Sequence, residues 1–434
     1  MSSHPKSVIR WVEDGAEASA TWHSESHVPA PEHVVVISDD VTADQAFRLA
    51  KSGTAMLWRG DFHNGRQLVQ AMGRRFKKQQ ERQTSRQKSR SHDGANGQHS
   101  FNGQHSFNGQ HSFSGQRRAT ADRARLLGHV VIELGAGFEL DLRRAPDVSA
   151  ACRAAYGEPS GPMCVSLTEL NGVLSAYQWQ LKGVDVPALG ETIHPRFGVF
   201  SPIRGEYVDL VARTPLPESL AAGAAGPEPT AVPEPTVTPE PTAARGSTAF
   251  DLGTGTGVLA ALLLRRGIAR VVATDINPRA VACARENLGR LGLDHLAEVV
   301  EADLYPEGAA VGGTADTPRA DLVVCNPPWL PAQPTSALEA GIYDPDSDVL
   351  RRFLAGLPAH LNPGGEGWLI ISDLAEHLGL RTRADLLARI AGAGLTVIDR
   401  IDTAPRHPRA RDAEDELHAA RSREVTSLWR LRLT

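Results

Sequence analysis

The C-terminal half of the sequence predicts an α/β fold, built on a parallel sheet with helices on both faces. Apolar runs typical of buried strands occur at 248–252, 271–275, 297–301, 321–325, 367–372, 395–401 and 425–433. Helical stretches alternate with them at 257–266, 278–291, 347–361 and 383–393. Strands and helices of this length in alternation predict parallel strands joined by crossover helices.

Capping residues support two of these helices. Asn277 precedes Pro278, the arrangement of an N-cap followed by proline in the first helical position. Thr382 and Asp385 have the spacing of a capping box. We therefore expect one helix to start after Asn277 and another after Thr382.

The N-terminal region predicts an α+β accessory domain. Residues 33–38, HVVVIS, are typical of a strand, and the next stretch predicts a helix with Thr42 as N-cap and Gly53 at its end. Further helices are predicted at 64–76, 147–155 and 167–177. The predicted organisation is an accessory region at 1–76, an insert at 77–118, the accessory region continued at 119–190 and a second domain at 191–434.

Two low-complexity inserts interrupt these domains, at 77–118 and 221–247. The first repeats the segment GQHSF, and the second repeats PEPT. Neither composition can bury enough apolar surface to offset the entropy lost on ordering. We expect both to be disordered, the first as a flexible loop and the second as a stiff, extended tether.

Cations cluster from Arg74 to Arg90, with Glu81 as the one acidic residue among them. One interpretation is a tether for nucleic acid. The other, which the repeats favour, is a solvated expansion of a surface loop.

Composition excludes several classes of protein. The formal net charge of −5 argues against a polyanionic partner for the chain as a whole. The four cysteines, Cys152, Cys164, Cys283 and Cys325, form no C-x-x-C pair, so we expect no disulfide framework, no metal site and a cytoplasmic location. The longest apolar run, VLAALLL at 258–264, is too short to cross a bilayer, and we expect no membrane association.

One glycine-containing segment, VVIELGAGFEL at 130–140, resembles a nucleotide-binding loop after a strand. Glu139 stands where such a loop needs a third glycine, and the residues after it alternate as in a strand. We interpret the segment as structural.

A second glycine segment, AFDLGTGTGVLAALL at 249–263, predicts a strand, a loop with Gly253, Gly255 and Gly257, and a helix. Glycines at these positions let the backbone approach a ligand closely. Dinucleotide-binding folds share this pattern. Asp251, however, would repel a pyrophosphate and can hold the ammonium group of a methionine moiety. The loop, which also contains Thr254, therefore favours S-adenosylmethionine over NAD as cofactor.

Two more acidic residues follow successive strands. Asp275 ends the next strand and can accept hydrogen bonds from both ribose hydroxyls, with Ile276 beside it. Asp303 follows the third strand, where it can accept a hydrogen bond from the adenine amino group. Three glycines and three acids at successive strand ends favour one common ligand.

The fourth strand ends in Asn326, Pro327, Pro328 and Trp329. An amide or aromatic amine is a poor nucleophile because its lone pair is delocalised. The Asn326 side-chain oxygen and the Pro327 carbonyl can accept its two N–H hydrogens, so that the lone pair points at a methyl group. The prolines hold these acceptors rigid, and Trp329 can stack on the planar group. Positioning then supplies much of the rate.

Residues from about 194 to 434 resemble class I S-adenosylmethionine-dependent methyltransferases with a small methyltransferase domain and an Asn-Pro-Pro-aromatic motif. That group includes release-factor glutamine, rRNA guanine amino and adenine amino methyltransferases. The resemblance implies a Rossmann-like seven-stranded methyltransferase sheet, with the glycine loop at Asp251–Gly257, the ribose acid at Asp275 and the catalytic motif at Asn326–Trp329. FGVFSPIRGEYVDLV at 197–211 is similar to the family's helix near the methionine end. Trp329 stands where tyrosine or phenylalanine is commoner.

The leading hypothesis is an S-adenosylmethionine-dependent N-methyltransferase acting on a planar nitrogen. An exocyclic amino group of a nucleic-acid base, with RNA favoured, is supported by the accessory region, by the cations at 74–90 and by RHPRAR at 406–411. A protein glutamine amide is the alternative substrate, supported by the PIRGEYVDL similarity. A different class of function is a non-catalytic RNA-binding scaffold, which the intact Asn326–Trp329 motif disfavours.

Overall fold

The computed structural model describes residues 7–92, 104–221, 246–307, 317–334, 337–406, 412, 415 and 417–434. The chain forms two compact units, Met1–Gln178 and Trp179–Thr434. Almost all of the predicted insert at 221–247 lies outside the described residues.

The N-terminal unit is a mixed sheet with helices. Its elements are β1 Val8–Glu13, β2 Ala16–Trp22, β3 Val34–Ile37, α1 Ala43–Lys51, β4 Ala55–Trp58, α2 Phe62–His92, α3 Gln104–Leu127, β5 Val130–Leu134, α4 Ser149–Tyr156, β6 Met163–Ser166 and most of α5 Leu167–Lys182. The strand order is β1-β2-β6-β5-β4-β3, with β3, β4 and β5 mutually parallel. β4 is buried along its whole length, as expected of an inner strand covered on both faces. The N-cap predicted at Thr42 is present, and Gln45 completes a capping box with it.

The first insert differs from its prediction over most of its length. We expected a flexible loop across 77–118, whereas α2 extends to His92 and α3 begins at Gln104; residues 93–103 lie outside the described part. The reason lies in composition and packing. Gln, Arg, Lys and Glu are good helix formers, so α2 can continue past its last buried residues. α3 in turn places Phe113 in a buried position.

The glycine segment at 130–140 forms no open loop. Glu139 turns back over it, and its carboxylate accepts a hydrogen bond from the Gly137 backbone N–H at 2.9 Å. A Cβ added at Gly135 would lie 2.5 Å from the same carboxylate. The space that a ligand would need is filled by the segment's own side chain, which agrees with a structural role.

The C-terminal unit contains the predicted alternation of strands and helices. Its elements are β7 Val184–Val186, β8 Glu191–Ile193, α6 Glu206–Arg213, α7 Glu218–Ala221, β9 Thr248–Leu252, α8 Val258–Arg265, β10 Arg270–Asp275, α9 Pro278–Arg290, β11 Ala297–Glu301, β12 Ala320–Cys325, α10 Ala337–Ala340, α11 Asp348–His360, β13 Leu361–Ser372, α12 Leu374–His377, α13 Arg383–Gly392, β14 Leu395–Thr403, α14 His418–Arg421 and β15 Thr426–Leu433. A short 3₁₀ turn, Pro345–Ser347, precedes α11. Both predicted N-caps, Asn277 and Thr382, make their capping hydrogen bonds.

Seven of these strands form one sheet in the order β11-β10-β9-β12-β13-β15-β14. Neighbours from β11 to β13 are parallel, and β15 is antiparallel to both β13 and β14. The direction in which successive strands join the sheet reverses beside β9. Strands β9, β10 and β11 follow one another toward one edge, and β12 then pairs with the opposite side of β9. Ligands of open α/β sheets bind at the carboxyl ends of the strands at such a reversal. The predicted Rossmann-like sheet is confirmed.

The strand β13 is longer than predicted, because it starts at Leu361 instead of 367. Its pairing with β12 is irregular between Ala320 and Leu322, so the added part joins the sheet through a bulge. Gly364, at a φ of 77°, supplies the backbone conformation that this bend needs.

No helix in the described part of the chain is both long enough and apolar enough to cross a bilayer.

Candidate functional site

The glycine loop connects β9 to α8 at the carboxyl edge of the sheet. Gly253, Gly255 and Gly257 have φ values of 73°, 56° and 81°, which side chains rarely adopt. A Cβ at Gly257 would lie 3.1 Å from the Ala284 Cα, so this glycine is also needed for close packing on α9. At Gly253 and Gly255 a Cβ would meet no described atom within 4 Å. The outer surface of the loop is therefore open to a ligand.

Asp251 braces this loop from inside. Its Oδ2 accepts hydrogen bonds from the Thr254 hydroxyl at 2.6 Å and from the Ala260 backbone N–H at 3.0 Å. The residue is 1% exposed. Burial raises the pKa of its carboxyl group to about 6, and the nearby Asp275 charge also raises it. A carboxylate in this setting is stabilised by any cation that approaches it.

Asp275 lies at the end of β10 and faces the same loop. Its two oxygens accept hydrogen bonds from the backbone N–H groups of Gly255 and Asn277, at 3.0 and 2.9 Å. Burial raises the pKa of this carboxyl group too. The next residue, Ile276, is 66% exposed, which leaves an apolar surface beside the carboxylate.

Asp303 lies two residues beyond β11, next to the end of β10 in the sheet. Its carboxylate pairs with the Arg352 guanidinium on α11 at 2.7 Å and is about half exposed. The structure therefore brings the three predicted acids to neighbouring strand ends, but Asp303 is engaged by an arginine.

The Asn326–Trp329 motif follows β12 directly. Cys325 pairs with Leu252 across β12 and β9, so Asn326 and Gly253 are next to each other at the edge of the sheet. Pro327 is buried, and Pro328 and Trp329 are half-buried. The indole Nε1–H of Trp329 donates a hydrogen bond to the Asn326 Oδ1 at 2.9 Å. The motif thus places an amide oxygen and an aromatic ring beside the glycine loop.

Comparison with known proteins shows what this arrangement resembles. Residues 239–383 match the family model described as methyltransferase small domain. This part of the C-terminal unit is therefore similar to methyltransferases of that family.

Individual relatives agree. The release factor glutamine methyltransferase of Cereibacter sphaeroides is 34% identical over 36% of this chain and 61% of its own length. The ribosomal RNA small subunit methyltransferase C of Alcanivorax borkumensis is 32% identical over 28% of this chain and 30% of its own. The ribosomal protein L11 methyltransferase of Pelobacter propionicus is 48% identical over 17% of this chain and 22% of its own. The chain spans about half the length of the release-factor relatives that it matches.

The cofactor of this family is S-adenosylmethionine, and the residues of the methyltransferase domain fit it. The open surface at Gly253 and Gly255 admits a ligand, the buried acids suit a cationic group and hydroxyls, and exposed Ile276 suits a flat base. Negative charge beside the loop disfavours a pyrophosphate.

A polar network behind Trp329 was not predicted from the sequence. The Arg204 guanidinium lies over the Trp329 ring, 5.7 Å from its centroid. Arg204 also donates to the Glu424 Oε1 at 3.2 Å, and the same oxygen accepts from the Ser372 hydroxyl at 2.7 Å. The network thus joins the segment before α6, the end of β13 and Glu424, two residues before β15. The similarity of the PIRGEY segment to the family pointed to Arg204. No feature of the sequence pointed to Glu424, which is more than 200 positions from Arg204 along the chain.

The helix predicted near the methionine end is present as α6. It begins at Glu206, which is 5% exposed and accepts a hydrogen bond from the Arg406 backbone N–H. Burial raises the pKa of Tyr207, and the Asp251 carboxylate raises it further. Tyr207 belongs to the same buried cluster as Val258, the first residue of α8, so α6 lies beside the helix that follows the glycine loop.

Proposed function

We propose that this chain is an S-adenosylmethionine-dependent N-methyltransferase that modifies a planar nitrogen. The observation that carries the proposal is the adjacency of Asn326 and Gly253, fixed by the pairing of Cys325 with Leu252. It puts hydrogen-bond acceptors for a substrate amino or amide group beside a loop suited to the cofactor.

The residues around the glycine loop would hold the cofactor, which supplies an electrophilic methyl group when bound. Asp275 would exchange its hydrogen bond from Gly255 for bonds from the ribose hydroxyls, and Ile276 would cover one face of the adenine. Asp251 would stabilise the ammonium group at the methionine end. Asp303 would accept from the adenine amino group through an oxygen not used by Arg352.

The motif would orient the acceptor nitrogen. A carboxamide oxygen has two lone pairs, so Asn326 Oδ1 can keep its bond from Trp329 and accept one N–H of the substrate. The Pro327 carbonyl would accept the other. The nitrogen lone pair would then be directed at the methyl group that the cofactor supplies. Transfer would break the methyl–sulfur bond as the N–C bond forms, the sulfur would leave as a neutral thioether, and the acidified N–H proton would pass to water. Trp329 would stack on the planar group.

The acceptor that we favour is an exocyclic amino group of a nucleic-acid base, with RNA preferred. The supporting observation is the indole ring of Trp329 with Arg204 over it, a combination suited to a flat, electron-rich ring. A protein glutamine amide is the second candidate. It is supported by relatives named as release factor glutamine methyltransferases, at 32–37% identity.

The deciding experiment uses purified protein, methyl-labelled S-adenosylmethionine and an extract of cells that lack this gene. Labelled macromolecules are then treated separately with nuclease and with protease. Label released by nuclease supports a base as the acceptor, and label released by protease supports glutamine. An absence of label, with the cofactor bound and Asn326→Ala as the matched control, would contradict methyl transfer to a macromolecule and leave the scaffold hypothesis.

A further inference from the structure

The helices α2 and α3 of the N-terminal unit pack against each other and present one apolar side to the core. Val69 and Met72 on α2 share a buried cluster with Leu126 and Leu127 on α3. The spacing of Val69, Met72 and the partly buried Phe76 places these side chains on one helical face.

Cations line the other side of α2. Arg74, Lys78 and Arg82 are spaced four residues apart, so they follow one another along the helix surface, and Lys77 lies beside them. Arg74, Lys77, Lys78 and Arg82 are all exposed. None of them forms an ion pair within the described part of the chain. The row from Arg74 to Arg82 spans about 12 Å, at about 1.5 Å per helical residue.

The helix α3 adds positive charge next to this row. The Arg123 guanidinium reaches α2, where its Nη2 lies 3.2 Å from the position of a Cβ added at Gly73. Arg118 and Arg125 are exposed on the same helix. We call Arg74, Lys77, Lys78, Arg82 and Arg123 the basic face.

The basic face differs from several arginines in other parts of the same unit. Arg59 pairs with Glu13 and Glu133, and Arg144 pairs with Asp61. Arg10 and Arg48 form no ion pair within the described part of the chain, but they stand singly on separate elements. On α2 itself only Arg75 has a carboxylate partner, Asp44 on α1, among the residues whose side chains are described. Exposed cations that repel one another and lack partners destabilise a helix slightly, so their alignment requires another explanation.

We propose that the basic face binds the phosphate backbone of RNA without reading its sequence. Aligned, unpaired cations on a rigid helix are a typical electrostatic footprint of nucleic-acid binding. Arg86 and Arg90 continue the four-residue spacing in the sequence. This inference rests on the proposed function, because it names RNA as the partner. It concerns only the affinity of the chain for RNA, which is measured without S-adenosylmethionine.

The test measures binding of the full-length chain to a fluorescein-labelled, single-stranded RNA by anisotropy at several salt concentrations. The variant replaces Arg74, Lys77, Lys78 and Arg82 by Gln, which keeps helix propensity and removes the charge. The matched control replaces four exposed cations on other elements by Gln: Arg10, Arg48, Lys182 and Arg389. A second control, Arg74→Lys with Arg82→Lys, retains the charge.

We expect the basic-face variant to bind at least about tenfold more weakly at 100 mM salt, with a log–log salt slope shallower by up to about 3. Both controls should bind like the wild type. Equal losses in the basic-face and scattered variants would overturn the inference, as would wild-type binding to phosphatidylserine vesicles but not to RNA. Methyl transfer to a protein fraction together with intact RNA binding would overturn the favoured acceptor and leave this inference standing.

Discussion

The indole N–H of Trp329 donates to the side-chain oxygen of Asn326 at 2.9 Å, within a single four-residue motif. The two ends of a carboxamide differ in that only the oxygen accepts, so this donor fixes which end of Asn326 faces the ring. A phenylalanine at the same position could not do so. Trp329 therefore presents an aromatic surface and also orients Asn326, the residue that we propose receives the substrate.

Replacement of Trp329 by Phe separates these two contributions. The ring remains, but the hydrogen bond is lost, so the Asn326 amide can rotate away from the orientation that receives the acceptor. We expect kcat to fall about tenfold, the equivalent of one hydrogen bond, with KM changed by less than about twofold. Steady-state kinetics on the identified substrate measures both constants.

Trp329→Ala is the matched comparison, because it removes the ring as well and should raise KM in addition. Equal kinetics for Trp329→Phe and the wild type would show that the hydrogen bond has no positioning role.

Two alanine substitutions distinguish acceptor residues from cofactor residues. Asn326→Ala should bind S-adenosylmethionine like the wild type yet lose methyl transfer by at least about 10²-fold, because an acceptor of the substrate N–H is gone. Asp275→Ala should instead raise the Kd for the cofactor about 10- to 100-fold, through loss of charged hydrogen bonds to the ribose. Calorimetry gives the Kd and the labelled-methyl assay gives the rate. Turnover by Asn326→Ala at the wild-type rate would refute the mechanism.

The methyltransferase domain was predictable because its signals are local. Glycines with positive φ, acids at the ends of three successive apolar runs and N-caps at Asn277 and Thr382 each fix structure within a few residues. Parallel strands then bring these ends to one edge of the sheet whatever lies between them. For that reason, the pattern of strand ends remained recognisable despite the proline-rich insert at 221–247.

The other features depend on contacts between distant residues. Glu424 joins Arg204 and Ser372 only once β13 and β15 have paired, and no spacing in the sequence indicates this. The helices across 77–118 were predicted as a loop because repeats and charge suggested disorder, whereas α2 and α3 pack against each other along their inner ends. The Asp303–Arg352 pair likewise depends on where α11 lies.

Cofactor affinity should depend on pH through the two buried acids. Burial places the pKa of Asp251 at about 6, and raises that of Asp275. A cationic ligand favours the ionised form of Asp251, so affinity should be highest above about pH 7 and fall by up to about tenfold per unit below pH 6. Calorimetry from pH 5 to 8 tests this. Asp251→Asn should bind more weakly at pH 8 and show a flatter profile, and an unchanged profile would contradict the assignment.

The same substitution should have the opposite effect on the stability of the ligand-free protein. The pKa of Asp251 is about 6 in the folded state and about 3.9 in an unfolded chain, so the folded form holds the proton more tightly. The free energy of unfolding therefore falls by about 3 kcal/mol as pH rises from about 4 to above 6.

Asn in place of Asp251 cannot ionise, yet its oxygen can still accept hydrogen bonds from Thr254 and Ala260. We expect urea denaturation of Asp251→Asn at pH 7.5 to show a higher midpoint than the wild type, with a smaller difference at pH 5. A lower midpoint at pH 7.5 would mean that the ionised carboxylate stabilises the loop more than its burial destabilises it.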